Sequence, residues 1–172
     1  MWRTAMALCF LTLLGCDKAP PAYSVQSTPT QDSSDPTPVH THERGKMLIA
    51  DAGPYHALLT AHLSKNGNEL DVFFETSDKS AKPVAIAVQG FSATIQVRIG
   101  EGELKKVEFR PAPAGERPAG EAPERCSHFV ASVPWLAPDV PLRVTIELPL
   151  NGRAETIRWN DFLANKYAHH QD

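Results

Sequence analysis

The sequence predicts an all-β protein, an antiparallel, immunoglobulin-like β-sandwich of about seven to eight strands with a short C-terminal helix. Three observations lead to this prediction. Apolar and polar residues alternate along several short segments, which is the period of half-buried strands. Two Asn-Gly pairs, Asn66-Gly67 and Asn151-Gly152, lie between such segments and are typical of hairpin turns. A helical pattern occurs only over residues 159–170, with Asn160 or Asp161 as its cap.

The predicted strands follow one another from residue 47 onward. Residues 55–63 put a set from Tyr55 to Leu63 on one face and a set from His56 to His62 on the other, and a returning strand that contains Leu70, Val72 and Phe74 completes the first hairpin. The later predicted strands are residues 83–88, 91–99, 105–110, 126–133, 142–150 and 153–159. On these strands the apolar side of the alternation predicts a set of buried side chains. This predicted core consists of Phe91, Ile95, Val97, Phe129, Val144 and Ile146.

The first residues predict export from the cytoplasm. Arg3 precedes an apolar run that is too short to span a bilayer, which is typical of a signal peptide over residues 1–15. The run ends in "LLGC", which resembles the lipobox of bacterial lipoproteins. That resemblance implies acylation of Cys16 and a lipid anchor in the bacterial cell envelope, on the periplasmic side of either the inner or the outer membrane. The alternative is an ordinary cleaved signal in which Cys16 is incidental.

The next segment predicts a tether. Residues 16–46 contain the acylated Cys16 and then mostly Pro, Ser, Thr and charged residues, too few of them apolar to offset the entropy of ordering. We therefore expect a disordered tether over residues 16–46 and a folded domain over residues 47–172, with a short helical tail at its end.

Composition excludes several classes of function. The formal net charge is −3, and removal of Arg3 with the signal makes it −4, so the chain has no basic excess with which to bind nucleic acid. Of the three cysteines, only Cys126 remains after processing and acylation of Cys16, and no intramolecular disulfide is possible. No motif of a hydrolase, a nucleotide-binding loop or a zinc protease is present, so we expect a protein that is not an enzyme.

The chain contains seven histidines, and four of them are candidate metal ligands. Neutral imidazole binds zinc, copper(II) and nickel, and histidine pairs at the two ends of a domain suit weak, exchangeable capture of such a divalent ion. The candidate ligands are His40, His42, His169 and His170. For each pair, His40 with His42 and His169 with His170, the alternative is that the histidines belong to a polar chain segment and bind no metal.

Other histidines have less specific settings. Cys126 and His128 lie two apart on a predicted strand and form a possible thiol–imidazole pair. His56 and His62 share one strand face but are six residues apart, too far to chelate one ion together, and we expect them to be ordinary strand residues.

The arrangement from residue 40 to residue 170 resembles a small β-sandwich module of bacterial envelope proteins. That module occurs alone or ahead of the adaptor subunits of resistance-nodulation-division (RND) metal-efflux systems. Matching positions are His40, His42, Tyr55, His56, Pro83, Val84, Phe129, Asn151, Gly152, His169 and His170. The resemblance implies a lipid-anchored envelope protein that binds a transition metal weakly or hands it to an efflux partner. The alternative is a non-enzymatic interaction module that docks another envelope protein, without a role for metal.

Overall fold

The computed structural model describes residues 41–98 and 102–171, and these residues form one largely antiparallel sheet with a single short helix. The prediction of an all-β antiparallel protein is confirmed, and so is a short helix near the end of the chain. The strands are β1 (Thr41–Arg44), β2 (Met47–Ala52), β3 (Tyr55–Leu63), β4 (Glu69–Thr76), β5 (Phe91–Val97), β6 (Leu104–Pro111), β7 (His128–Ser132), β8 (Leu142–Leu150), β9 (Arg153–Phe162) and β10 (Ala168–Gln171). The helix α1 is Ala164–Tyr167.

Hydrogen bonding orders the strands as β1-β2-β3-β4-β7-β6-β5-β8-β9, and β10 pairs in parallel with β3. Strand β6 belongs to both halves of this half-barrel sheet, because Leu104–Phe109 pair with β5 whereas Arg110 and Pro111 pair with β7. We call β2, β3, β4 and β7 the first half, and β5, β6, β8 and β9 the second half. The two halves share one hydrophobic core.

Both predicted Asn-Gly hairpins are confirmed. Asn151 and Gly152 have φ angles of 51° and 79°, so both central residues of the β8–β9 turn are left-handed. This is the requirement of a type I′ turn, whose twist matches that of the strands it joins. In the β3–β4 turn, the Gly67 N–H donates to the Ser64 carbonyl oxygen over 3.2 Å.

Aromatic rings dominate the shared core. Trp159, Phe129 and Phe162 are fully buried, and the Trp159 indole N–H donates to the Ala57 carbonyl oxygen over 3.2 Å. This bond links the two halves and satisfies the one polar atom of a buried indole. The predicted core is confirmed at all of its positions except Val97, which is half-buried at its edge.

Two predicted elements are wrong in extent. Residues 83–88 form only isolated bridges, from Pro83 to Glu75 and from Ile86 to Cys126. Pro83 itself cannot donate to a strand ladder. The predicted helix over residues 159–170 is reduced to α1, with no side-chain cap. Residues 159–162 instead continue β9, where Trp159 pairs with Val144 and buries its ring.

The folded domain begins earlier than predicted. Strand β1 lies inside residues 16–46, the predicted tether, and pairs with β2 from Thr41↔Ala50 to Arg44↔Met47. Its four polar residues lack apolar alternation, so the sequence pattern could not show it. Besides this pairing, the Glu43 carboxylate accepts hydrogen bonds from Lys166 Nζ at 2.5 Å and from the Tyr167 hydroxyl at 2.7 Å.

Candidate functional site

The first half of the sheet is covered on both faces. Its outer face, turned away from the shared core, should be exposed in a simple two-layer domain, yet Leu58 and Thr60 on β3 are almost completely buried. The β6–β7 loop, residues 112–127, lies over part of this face, and α1 with β10 lies against β3. Cross-strand pairing arranges the outer face in rows: Asp51, His56 and Glu75; then Ile49, Leu58, Phe73 and His128; then Thr60, Asp71 and Val130.

A buried polar pair fastens the β6–β7 loop to this face. His128 Nε2 lies 2.9 Å from Asp71 Oδ1, and His128 Nδ1 lies 3.2 Å from the main-chain oxygen of Glu116. Both contacts are hydrogen bonds only when the imidazole and the carboxyl group together hold two protons. The imidazole also stacks on the Phe73 ring, with centroids 4.0 Å apart.

This pair is structural in character. His128 and Asp71 are each at least nine-tenths buried, and both ring nitrogens of His128 are engaged by oxygen atoms. Neither nitrogen faces a hydroxyl or thiol that it could activate, which nucleophilic catalysis would require. The pair therefore positions the loop, and the loop in turn forms one wall of a cleft.

The cleft lies between the β6–β7 loop and the ends of β1 and β4, and it has a volume of about 340 Å³. This is within the size range of small-molecule and peptide side-chain pockets. Its apolar walls are Met47, Leu58, Phe73, Ala81, Pro83 and Pro118. The charged residues Arg44, Glu75, Glu116 and Arg117 also line it.

The charged groups of the cleft are only partly satisfied by hydrogen bonds among the described residues. Arg44 Nη2 donates to Glu75 Oε2 over 2.5 Å. The other carboxylate oxygen, Glu75 Oε1, is buried and has no hydrogen-bond partner among the described residues, and the same is true of Arg117 Nε. His56 Nδ1 lies 3.9 Å from Glu75 Oε1, which is an electrostatic contact but too long for a hydrogen bond. One acceptor and one donor are therefore buried without a hydrogen-bond partner among the described residues.

The predicted thiol–imidazole pair does not form. Cys126 is fully buried in the shared core, and its thiol donates to the main-chain oxygen of His128 over 3.4 Å, whereas the His128 ring is on the outer face. The strand β7 begins only at His128, so the alternation expected between the two residues is broken. Burial raises the pKa of the Cys126 thiol, which makes the reactive thiolate rarer.

The four predicted metal ligands lie in different places. His40 is outside the described residues, and only the backbone of His42 and His170 is described. His42 is level with Leu58 on β3 and His170 is level with His62, about 13 Å further along at ~3.3 Å per residue. Among the side chains that the structure describes, no three potential metal ligands converge.

Sequence analysis missed the residues of the cleft. Asp71, Phe73 and Glu75 alternate with Leu70, Val72 and Phe74 on β4, so the strand carries large groups on both faces. The run "VFF" is the signal that could have indicated a second covered face. Nothing in the sequence indicates which segment covers it.

Comparison with protein-family models, curated proteins and solved structures finds no match to the chain. Cys16, the predicted site of acylation, lies outside the described residues. Within the described ranges, no helix has the length and apolar character needed to cross a membrane.

Proposed function

We propose that the chain is a lipid-anchored, non-enzymatic interaction module of the bacterial cell envelope. In this proposal its cleft binds an extended peptide segment of a partner envelope protein. The observation that supports this function best is the coexistence of Glu75 Oε1 and Arg117 Nε, one unpaired acceptor and one unpaired donor, in an apolar cleft.

A peptide group is complementary to this pair of atoms. When the two side chains turn towards the cleft, its N–H donates to Glu75 Oε1, and its carbonyl oxygen accepts from Arg117 Nε. The apolar walls then provide a site for one side chain of the same segment, since most binding sites combine apolar walls with a few polar groups that orient the ligand. Hydrogen bonds to charged groups contribute about 1.5–3 kcal/mol each, enough to make both residues important for binding.

The lipid anchor at Cys16 belongs to the same proposal. The lipobox-like "LLGC" supports it, and residues 16–40 would act as the spacer between membrane and domain. The immunoglobulin-like sandwich also remains part of the proposal, and the two halves around one core support it. An acidic mature chain supports protein partners rather than nucleic acid.

Transition-metal binding, with handover to an efflux partner, is the second candidate function. The observation that favours it is the position of the last two histidines, because β10 brings His169 and His170 beside β3 and its His62. This role does not exclude the first, because the cleft and β10 use different residues.

The test of the cleft uses the full chain and hexapeptides selected from a random library. Glu75→Gln and Arg117→Gln should each weaken peptide binding about tenfold, as measured by fluorescence polarisation, because each removes a charged hydrogen-bond partner. The matched controls are Glu108→Gln and Arg158→Gln, exposed positions on β6 and β9. Equal binding by all four variants, or peptides that bind elsewhere, would contradict the peptide-binding function.

The test of the anchor is the substitution Cys16→Ser. Without the acylated thiol the domain should leave the membrane fraction, since the acyl chains supply the membrane affinity. Cell fractionation measures this. Retention of the variant in the membrane after carbonate extraction would instead indicate an uncleaved signal anchor.

A further inference from the structure

Strand β10 places a second histidine ring beside His62. The strand runs parallel to β3, with Ala168 opposite Ala61 and Gln171 opposite Leu63, and an irregularity in register separates Ala168 from His170. The rings of His62 and His169 face each other in an edge-to-face arrangement, with centroids 5.5 Å apart. These residues are 107 positions apart in sequence (169 − 62), so only the fold brings them together.

The Thr60 hydroxyl contacts one ring nitrogen of His169. Its hydroxyl donates to the Tyr167 carbonyl oxygen over 2.5 Å, and this carbonyl can only accept. The hydroxyl has one proton, so towards His169 Nδ1, 3.3 Å away, it acts as the acceptor. A hydrogen bond between them thus requires the proton on His169 Nδ1, and in the neutral imidazole this tautomer has its lone pair on Nε2. This is the arrangement by which a second-sphere oxygen prepares a histidine for metal binding.

The separation of the rings suits a shared ion. Two imidazoles that bind one metal at ~2.0–2.1 Å with a roughly tetrahedral angle have ring centroids about 5 Å apart. The observed 5.5 Å is close to this distance, and a small rotation of an exposed side chain is enough to reach it.

We infer that His62 and His169 together bind a divalent transition-metal ion, copper(II) or zinc, with His169 contributing Nε2. Among the described side chains no third potential ligand converges on this pair. The inference rests on the second candidate function, metal binding. It differs from the sequence prediction in pairing His169 with His62 on β3. It is independent of the cleft.

The test titrates the purified, acylated full chain in detergent with copper(II) chloride and with zinc chloride by calorimetry. His62→Ala and His169→Ala should each weaken binding at least tenfold, because one imidazole alone cannot chelate. His56→Ala is the matched control, as it lies on the same face of β3 but six residues away. Electron paramagnetic resonance of the copper(II) complex should show two coordinated nitrogen atoms in the wild type and one in either variant.

Substitutions of Thr60, which contacts His169 but is not itself a ligand, give an independent test of metal binding. Thr60→Val removes the acceptor for His169 Nδ1 and should weaken copper(II) binding severalfold, whereas Thr60→Ser keeps the hydroxyl and should restore it. Circular dichroism of both variants controls for loss of fold.

Three results would overturn the inference. If His62→Ala binds copper(II) as the wild type does, His62 is not a ligand. If His40→Ala with His42→Ala abolishes binding while His62→Ala and His169→Ala preserve it, metal binding stands as a function but at the N-terminal histidines. If the wild type binds neither ion, the site and the second candidate function both fail.

Discussion

The two halves of the sheet bury their strands differently. In the second half, β8 alternates between buried and outward-facing residues, and its outward side chains include Arg143 and Glu147. In the first half, β3 is buried on nearly every residue, because distant segments cover its outer face. A strand with one buried face needs only apolar residues there. A second covered face must also accommodate polar groups, and this is where the cleft and the Asp71–His128 pair occur.

The comparison shows where function can develop in such a domain. The open face of the second half is solvated and needs no particular partner for any side chain. The covered face of the first half leaves little water, so each polar atom there requires a partner or becomes available to a ligand. The substitutions that follow test this difference, beginning with the largest expected effect.

Asp71→Ala should destabilise the domain most, by about 3–5 kcal/mol, because it leaves His128 buried without its carboxylate. Urea denaturation followed by tryptophan fluorescence measures the free energy of unfolding. The double variant Asp71→Leu with His128→Leu should lose much less, since replacing both members of a buried pair by apolar groups is often nearly neutral. If the single variant is as stable as the wild type, the outer face is open to water there.

Ile95→Ala tests the second half and should destabilise by about 2–5 kcal/mol, through lost burial and the cavity left in the shared core. Thr94→Ala, on the exposed side of the same strand, is the control and should change stability by less than about 0.5 kcal/mol. Equal effects of the two substitutions would show that the facing of β5 is assigned wrongly.

Cys126→Ala should cost only about 1 kcal/mol, since it removes one buried sulfur atom. In the wild type, burial both shields the thiol and raises its pKa, so labelling with a thiol reagent should be slow and should accelerate only as urea unfolds the domain. Rapid labelling of the native protein would place Cys126 outside the core.

Glu43→Gln should have the smallest effect on stability, and this effect should change only at acidic pH. Hydrogen bonds from Lys166 and then from Tyr167 lower the pKa of the Glu43 carboxyl below its value in the unfolded chain. Its contribution is therefore present above the unfolded pKa and is lost as pH falls through the lower, folded pKa. Thermal midpoints measured from pH 6 downward should decline less steeply for the variant, with Glu108→Gln as the control. Parallel curves would mean that β1 is not held by this contact.

Sequence patterns predicted the second half well and the first half only in part. Alternation identified β5 and β8 because one face of each is solvated, and left-handed geometry at Asn151-Gly152 follows from residue type. In the first half, β2 was not predicted as a strand. Strands β1 and β10 were missed because short polar strands have no hydrophobic period.

Candidate sites were harder to predict than strands. The contact of His62 with His169 and the unpaired atoms of Glu75 and Arg117 depend on segments that are distant in sequence. A pattern shows which face of a strand is apolar, but it does not show which segment will lie across the other face.

The edge position of β1 has a mechanical consequence. A load that pulls on the chain ahead of Thr41 meets four residue pairs of a strand at the border of the sheet, which can open one after another from Thr41 to Arg44. The last of them holds Arg44, whose guanidinium is bonded to Glu75 in the cleft. Peeling β1 would withdraw that guanidinium and leave both oxygens of Glu75 without it. Tension on the chain ahead of Thr41 would thus change the charge of the cleft before it disturbed the core.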